Sequence, residues 1–226
     1  MKAYFKGSLQ MIDSTLEKIE GKLIESIKVN GLADLAQEYA ELGLDMVLEE
    51  GALRDIPIVG TIVNAYKTVA SMRDRIYLNK LVHFLKKVGE TTQEQRRKFV
   101  EDNCKDTRQF EEAVLLILEQ ADNINKISLI GKVFKACILE MINYKNALTI
   151  SSMVNRAFWR DVEGLISNKY DSGSKMRLYT CGLMNLDWRR KTYQDLSRNM
   201  IQDVKFDGFC YKENEYTNLL RRINNI

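Results

Sequence analysis

The sequence predicts a mainly α-helical fold, a multi-helix bundle that carries a small winged-helix-like β-hairpin near its C-terminus. Three observations lead to this fold class. The 226 residues include a single proline, so long helices can run without interruption. Apolar residues recur at spacings of three and four through most of the chain, as they do on one face of an α-helix. Only the last quarter alternates apolar and polar residues, which is typical of a half-buried strand.

Residues 1–50 predict an N-terminal helical hairpin. Its first helix carries a heptad-like apolar seam, and Asn30-Gly31 supplies a left-handed C-terminal cap. A second apolar stripe runs from Leu32 to Met46 and ends at Gly51. We expect the seam to be a protein interface, although packing inside one bundle is the commoner use of such a stripe. The seam consists of Leu9, Ile12, Leu16, Ile19, Leu23 and Ile27.

Residues 51–168 predict a central helical bundle. Asp55 is a suitable N-cap, and Pro57 fits the first helical turn, where its missing N–H is not needed. An apolar helical pattern then covers 56–88, as one helix or as two helices broken near residues 71–73. The run 91–94 matches a capping box that starts from Thr91, and further stripes continue at helical spacing to Ile166.

Residues 169–226 predict a winged-helix-like C-terminal module. A short helix over 175–181 ends at Gly182. The runs 183–188 and 204–211 then alternate apolar and polar residues, and a final helix follows. The order helix, strand, loop, strand, helix is the outline of a winged helix.

The residue types argue against an enzyme. One histidine, His83, excludes most hydrolase triads and histidine-based metal sites, and there is no phosphate-binding glycine motif. The four cysteines are widely spaced and contain no CxxC pair, which indicates buried free thiols. We therefore expect no catalytic, cofactor-binding or metal-binding residues and no cofactor. The cysteines are Cys104, Cys137, Cys181 and Cys210.

The charge is divided unevenly along the chain. The net charge is +3, but residues 1–50 carry five basic and ten acidic side chains, whereas residues 51–100 carry ten and four. Oppositely charged segments favour contact within the chain or between copies, so a protein partner or a homo-oligomer is expected. The chain begins with no signal-peptide core, and no apolar run approaches the roughly 18 residues of a membrane span, so we expect a cytoplasmic protein.

Two alternative functions remain open. The first part of the apolar helix 56–88 is followed by a run of basic residues from Lys67 to Lys87. This pattern is typical of a membrane-perturbing effector with peripheral membrane contact. The predicted hairpin interleaves basic and aromatic residues, which would suit a nucleic-acid-binding regulator. The candidate nucleic-acid contacts are Trp188, Arg189, Arg190 and Lys191.

Several stretches resemble an uncharacterised group of bacterial helical proteins, with the similarity covering residues 50–226. The stretches are 55–62, 73–76, 80–85, 129–136 and 179–183. The resemblance implies a winged-helix-like C-terminus and a setting in phage defence, because helical proteins with this layout resemble abortive-infection accessories. It implies no activity and no site residues. The sequence thus favours a non-enzymatic protein-interaction or assembly protein, in bacterial or prophage defence.

Overall fold

The computed structural model describes residues 21–38, 55–65, 72–195 and 200–226. These residues are mainly helical and form one two-stranded antiparallel hairpin near the C-terminus, which confirms the predicted fold class. The helices are α1 (Lys22–Ile27), α2 (Pro57–Ala65), α3 (Met72–Gly89), α4 (Gln93–Asn103), α5 (Thr107–Gln120), α6 (Ile124–Ile138), α7 (Tyr144–Arg156), α8 (Trp159–Ile166), α9 (Ser172–Thr180) and α10 (Glu215–Asn224). The strands are β1 (Met184–Asp195) and β2 (Met200–Glu213).

The chain divides into two compact units, the first ending at Asn155 and the second beginning at Arg156. The predicted division into 1–50, 51–168 and 169–226 stays a prediction, because much of the N-terminal hairpin lies outside the described residues. Residues 32–38 of that hairpin are helical.

In the first unit, α3 and α6 form the most extensive helix pair. The rings of Phe84 and Phe134 meet edge to face between the two helices, with their centroids 5.3 Å apart. Gly131 lets α6 approach α3, since a Cβ atom there would lie only 2.6 Å from Cβ of Lys87. Both rings are buried, so this crossing forms part of the first unit's core.

The N-terminal end of α1 is capped by a side chain from a distant helix. Gly21, at the N-cap, has no side chain with which to cap the helix. Instead, the carboxylate of Glu111 accepts hydrogen bonds from the backbone N–H groups of Gly21 (2.6 Å) and Ile24 (3.0 Å). Glu111 is buried on α5, and it satisfies two backbone donors at this helix end, of which the N–H of Ile24 is buried.

The C-terminal end of α1 is held by Arg96, whose guanidinium is buried on α4. It donates hydrogen bonds to the backbone carbonyls of Ile27 (2.6 Å) and Val29 (2.7 Å). It also donates to the carbonyls of Gly89 (3.2 Å) and Thr91. A cation at a helix C-terminus complements the helix dipole, and here one cation serves the ends of both α1 and α3.

One sequence expectation differs in detail from the structure. The capping box of α4 is formed by Thr92 and Gln95 and not from Thr91; Thr91 is buried and donates its hydroxyl to the carbonyl of Val88. The apolar run 56–88 includes α2 and α3; residues 66–71 between them lie outside the described part, so the alternatives of one helix or two both stay predictions. No helix among the described residues has the length and hydrophobicity to cross a membrane.

Candidate interaction surface

The second unit exposes a group of large apolar side chains. Met176 and Tyr179 on α9 are 58% and 40% exposed, and Leu186 on β1 is 37% exposed. The ring of Tyr179 lies 5.7 Å from the ring of Tyr211 on β2, centroid to centroid. Tyr211 pairs with Leu186 in the strand register, which places both residues on one face of the hairpin. We call Met176, Tyr179, Leu186 and Tyr211 the aromatic surface.

The helix α9 has two unlike faces, which explains why Met176 and Tyr179 point outward. Leu178 is fully buried, and Ser174 one turn earlier is also buried. Met176 and Tyr179 are three residues apart, so they are neighbours on the helix surface. The buried face fixes the helix to the unit and leaves this pair of apolar residues exposed.

An ion pair sets the position of α9. Arg177 donates two hydrogen bonds, of 2.6 and 2.7 Å, to the carboxylate of Asp161 on α8, and a third to the Ser174 hydroxyl. Asp161 is only 2% exposed. The Arg177 guanidinium lowers the pKa of Asp161 below its ordinary value, because the hydrogen bonds favour the ionised carboxylate over the protonated form.

This ion pair predicts an acid-sensitive step in the stability of the second unit. The pKa of Asp161 is lower in the folded state than in the unfolded state. The stability that its ionised carboxylate contributes is therefore complete at a pH above the unfolded-state pKa, and it is lost as the pH falls through the folded-state pKa. We therefore expect Asp161→Asn to lower stability at pH 7 and to flatten the loss of stability below pH 4. Thermal unfolding followed across this range checks the prediction. An equally steep acid loss in the variant would contradict it.

A tight turn joins α9 to the hairpin. Gly182 has a φ of 91°, a left-handed conformation that suits glycine. The N–H groups of Gly182 and Leu183 bond to the carbonyls of Tyr179 (3.0 Å) and Leu178 (2.9 Å), which completes a helix-ending Schellman turn. The predicted helix end at Gly182 is therefore confirmed as a Schellman turn. This turn places the start of β1 next to the end of α9.

The base of the hairpin is fixed by polar contacts with α10. Asn214 caps α10 through the N–H of Thr217 (3.1 Å) and donates to the carbonyl of Gly182 (2.8 Å). Glu213 at the end of β2 accepts two 2.6 Å hydrogen bonds from Arg221 on α10. The paired guanidinium lowers the pKa of Glu213, so this carboxylate is ionised at neutral pH.

Three pairs of opposite charge lie near the aromatic surface. Asp187 and Lys212 form an ion pair across the hairpin, and Glu213 with Arg221 and Asp161 with Arg177 are the other two pairs. The rim therefore has no strong excess of either sign in the described residues. A surface of this kind can meet a copy of itself without repulsion.

The hairpin extends well beyond its base. β1 and β2 pair from Met184 with Glu213 to Asp195 with Met200, and the register shifts between Trp188 and Arg190 and again after Thr192. In the described chain this sheet has two strands, so each strand has one edge without a neighbouring strand. Open edges of this kind are sites at which another strand can pair.

The structure places the predicted interface residues in two groups. Leu23 and Ile27 of the heptad-like seam are 0% and 1% exposed and form part of the first unit's core. Leu9, Ile12, Leu16 and Ile19 lie outside the described residues, so an assembly role for the seam stays a prediction.

The two alternative sites also stay predictions. Trp188, Arg189, Arg190 and Lys191 belong to β1, but their side chains lie outside the described part of the structure. In α2, Ile58, Val59 and Ile62 are buried, so the apolar face of this helix is covered within the first unit.

Three of the four thiols are held in the protonated form by burial. Burial raises the pKa of Cys104 and of Cys137 to about 12, and burial also raises the pKa of Cys181. A thiol in such a site stays protonated and is a poor nucleophile. Across the described residues, no three His, Cys, Asp or Glu side chains are grouped as metal ligands.

No protein-family model, curated protein or solved structure matches the chain. The aromatic surface was not predicted as a site, although the sequence analysis placed its residues in the correct elements. The sequence signal that could have identified this surface is the arrangement of residues around the short helix before Gly182. If Leu178 faces inward on this helix, Met176 and Tyr179 face outward.

Proposed function

We propose that the protein is a non-enzymatic assembly protein whose copies associate through the aromatic surface of the second unit. The observation that carries this proposal is the exposed group Met176, Tyr179 and Leu186, with Tyr211 beside them. Single exposed apolar residues are ordinary, but a contiguous group that combines methionine and tyrosine is typical of the centre of a protein interface.

A second copy is the occupant that the charges favour. A two-fold interface places a patch against itself, so a rim of one sign would repel its copy. Here three carboxylates near the surface have basic partners: Asp187 with Lys212, Glu213 with Arg221 and Asp161 with Arg177. A strongly basic or acidic partner would find no complementary field on this surface.

The hairpin supports association in the same region. A two-stranded hairpin is only marginally stable by itself in water, and α9 contacts both strands of this one. Contact with a second copy would cover more of it.

The expected cytoplasmic location and the setting in bacterial or prophage defence belong to this proposal as well; the setting rests on the sequence resemblance.

Sedimentation velocity over a range of protein concentrations tests the proposal. The wild-type chain should form a dimer, and Met176→Glu/Leu186→Glu should weaken the dimer about tenfold or more, because the interface would then bury added carboxylates. Met176 is 58% exposed and Leu186 37% exposed, so neither belongs to the buried core and the variant should fold normally, as checked by circular dichroism.

The matched control is Ile76→Glu/Leu116→Glu, which makes the same change in charge at two exposed apolar side chains of the first unit. This control should associate like the wild type. A wild-type chain that remains a monomer, or equal weakening in both double variants, would contradict the proposal. Absorbance at 260 nm in the same runs would reveal bound nucleic acid and so support the alternative function of the hairpin.

A further inference from the structure

The turn between α1 and the helical residues 32–38 contains Asn30-Gly31, the one Asn-Gly pair in the amino-acid sequence. Both residues are exposed. Gly31 has a φ of 64°, which is a left-handed conformation that glycine adopts readily. The pair therefore lies at the surface of the first unit, in a turn and not inside a helix.

The side-chain amide of Asn30 lies beside the backbone nitrogen of Gly31. The N–H of Gly31 donates a hydrogen bond of 3.0 Å to Oδ1 of Asn30, so the side-chain carbonyl group is in contact with this nitrogen. Within the described chain, a Cβ atom added to Gly31 would meet no atom within 4 Å beyond its own chain neighbours. Because glycine has no side chain to shield the nitrogen, water and hydroxide can reach both groups.

Asn168-Lys169 in the second unit is a suitable comparison, because both residues are also exposed and Asn168 has a left-handed φ of 57°. There the N–H of Lys169 donates to the carbonyl of Gly164 (2.8 Å), and Oδ1 of Asn168 accepts from Arg221 (3.2 Å). The backbone nitrogen and the side-chain carbonyl thus have separate partners. At Asn30 the same two groups are hydrogen-bonded to each other.

We propose that Asn30 is a site of spontaneous deamidation and that the isoaspartate product destabilises the first unit. Hydroxide removes the proton from the backbone nitrogen of Gly31, and this nitrogen forms a bond to Cγ of Asn30. The bond from Cγ to the side-chain nitrogen breaks, and that nitrogen takes up a proton from water and leaves as ammonia. Water then opens the succinimide ring at one of its two carbonyls, which gives aspartate or isoaspartate at position 30.

The backbone is held on both sides of Asn30, so the two products should differ in their effect. Before it, the carbonyl of Val29 accepts a 2.7 Å hydrogen bond from the buried Arg96. After it, the backbone of Ala33 lies close to the end of α3, since a Cβ atom on Gly89 would be 2.6 Å from its nitrogen. Aspartate leaves the main chain unchanged, whereas isoaspartate adds one carbon to it. The longer turn must displace one of these packed contacts.

Peptide mapping by mass spectrometry tests the site in the full, folded chain. Trypsin produces peptide 29–54, in which Asn30 is the one asparagine, and peptide 161–169, in which Asn168 is the one asparagine. At mildly alkaline pH, Asn30 should gain the mass of deamidation at least about tenfold faster than Asn168, which corresponds to a barrier lower by about 1.4 kcal/mol. The rate at Asn30 should rise in proportion to the hydroxide concentration.

Three variants separate the site from its products. Asn30→Gln keeps an amide, but its extra methylene requires a six-membered ring, so position 30 should gain no mass in the same period. Asn168→Gln is the matched control, and its Asn30 should deamidate at the wild-type rate. Asn30→Asp supplies the aspartate product with an unchanged main chain, and it should unfold at the same denaturant concentration as the wild type.

Brief digestion with thermolysin tests the effect of isoaspartate, because this protease cleaves the unfolded form. The deamidated chain contains both products, and electron-transfer fragmentation distinguishes them although their masses are equal. Molecules with isoaspartate should be cleaved about tenfold faster than those with aspartate, since a small loss of stability raises the unfolded population by this factor. The chain that survives should therefore be depleted of isoaspartate.

The site and its effect can each be overturned. Equal rates of deamidation at Asn30 and Asn168, or an unchanged mass gain at position 30 in Asn30→Gln, would contradict the assignment of the site. Equal resistance of the two products to thermolysin would contradict the effect on the first unit. This inference concerns the first unit alone and does not depend on the proposed assembly.

Discussion

Replacing Arg96 with methionine should lower the free energy of unfolding of the first unit by about 3–5 kcal/mol, because buried backbone acceptors would lose their donor. The guanidinium is 2% exposed and donates to carbonyls at the ends of α1 and α3, among them those of Ile27 and Val29. Methionine preserves most of the volume of the side chain. The loss would therefore come from the hydrogen bonds and not from a cavity.

Chemical denaturation followed by circular dichroism measures this effect. Arg97→Met is the matched control, since Arg97 is the exposed neighbour of Arg96 on the same helix, and it should change stability by less than about 0.5 kcal/mol. Arg96→Lys should fall between the two, because an ammonium group retains the charge but cannot reach as many carbonyls. Equal stability of the two methionine variants would show that Arg96 does not hold α1.

Replacing Gly89 with alanine should destabilise the first unit by about 1–3 kcal/mol through steric overlap with backbone atoms. A Cβ atom at Gly89 would lie 2.6 Å from the backbone nitrogen of Ala33 and 2.9 Å from its Cα. Backbone atoms cannot turn aside as the end of a long side chain can. The segment at residues 32–33 would have to move away from the end of α3, near the contacts of Arg96.

Gly173→Ala is the corresponding control. A Cβ atom there would meet only side-chain atoms, with the Arg177 guanidinium at 3.3 Å as the nearest, and alanine is a better helix former than glycine. This variant should stay within about 1 kcal/mol of the wild type or become slightly more stable. If Gly89→Ala unfolds at the same temperature and denaturant concentration as the wild type, the close contact with Ala33 does not constrain the fold.

Local features of the fold were accessible from the sequence because they depend on neighbouring residues. The helix stop at Gly182 follows from short-range geometry. The capping box was displaced by one residue, because Thr91 with Glu94 and Thr92 with Gln95 both fit the motif. In the structure the Thr91 hydroxyl donates to the carbonyl of Val88, and Thr92 forms the capping box.

Long-range features could not be predicted in this way. Glu111 caps a helix that lies 90 positions earlier in the chain, and no spacing connects the two. Similarly, the seam residues Leu23 and Ile27 have the pattern of an interface, yet they lie inside the first unit. An apolar stripe shows that a helix face is covered, but it does not show whether the cover belongs to the same chain.

The same argument applies to the aromatic surface. Met176, Tyr179, Leu186 and Tyr211 are ordinary components of a short helix and two strands. Only the turn at Gly182 and the hairpin register bring them together. Their significance comes from exposure, which the sequence does not report.

Amide hydrogen exchange at two protein concentrations tests the proposed assembly most directly, because it locates the interface as well as detecting it. At a high concentration, relative to one about a hundredfold lower, exchange should slow in α9 and at the base of the hairpin, over residues 176–187 and 209–213. Exchange in the rest of the described chain should not change with concentration. Concentration-dependent protection confined to residues 9–19, or no such protection at any position, would contradict the assignment of the interface to the second unit.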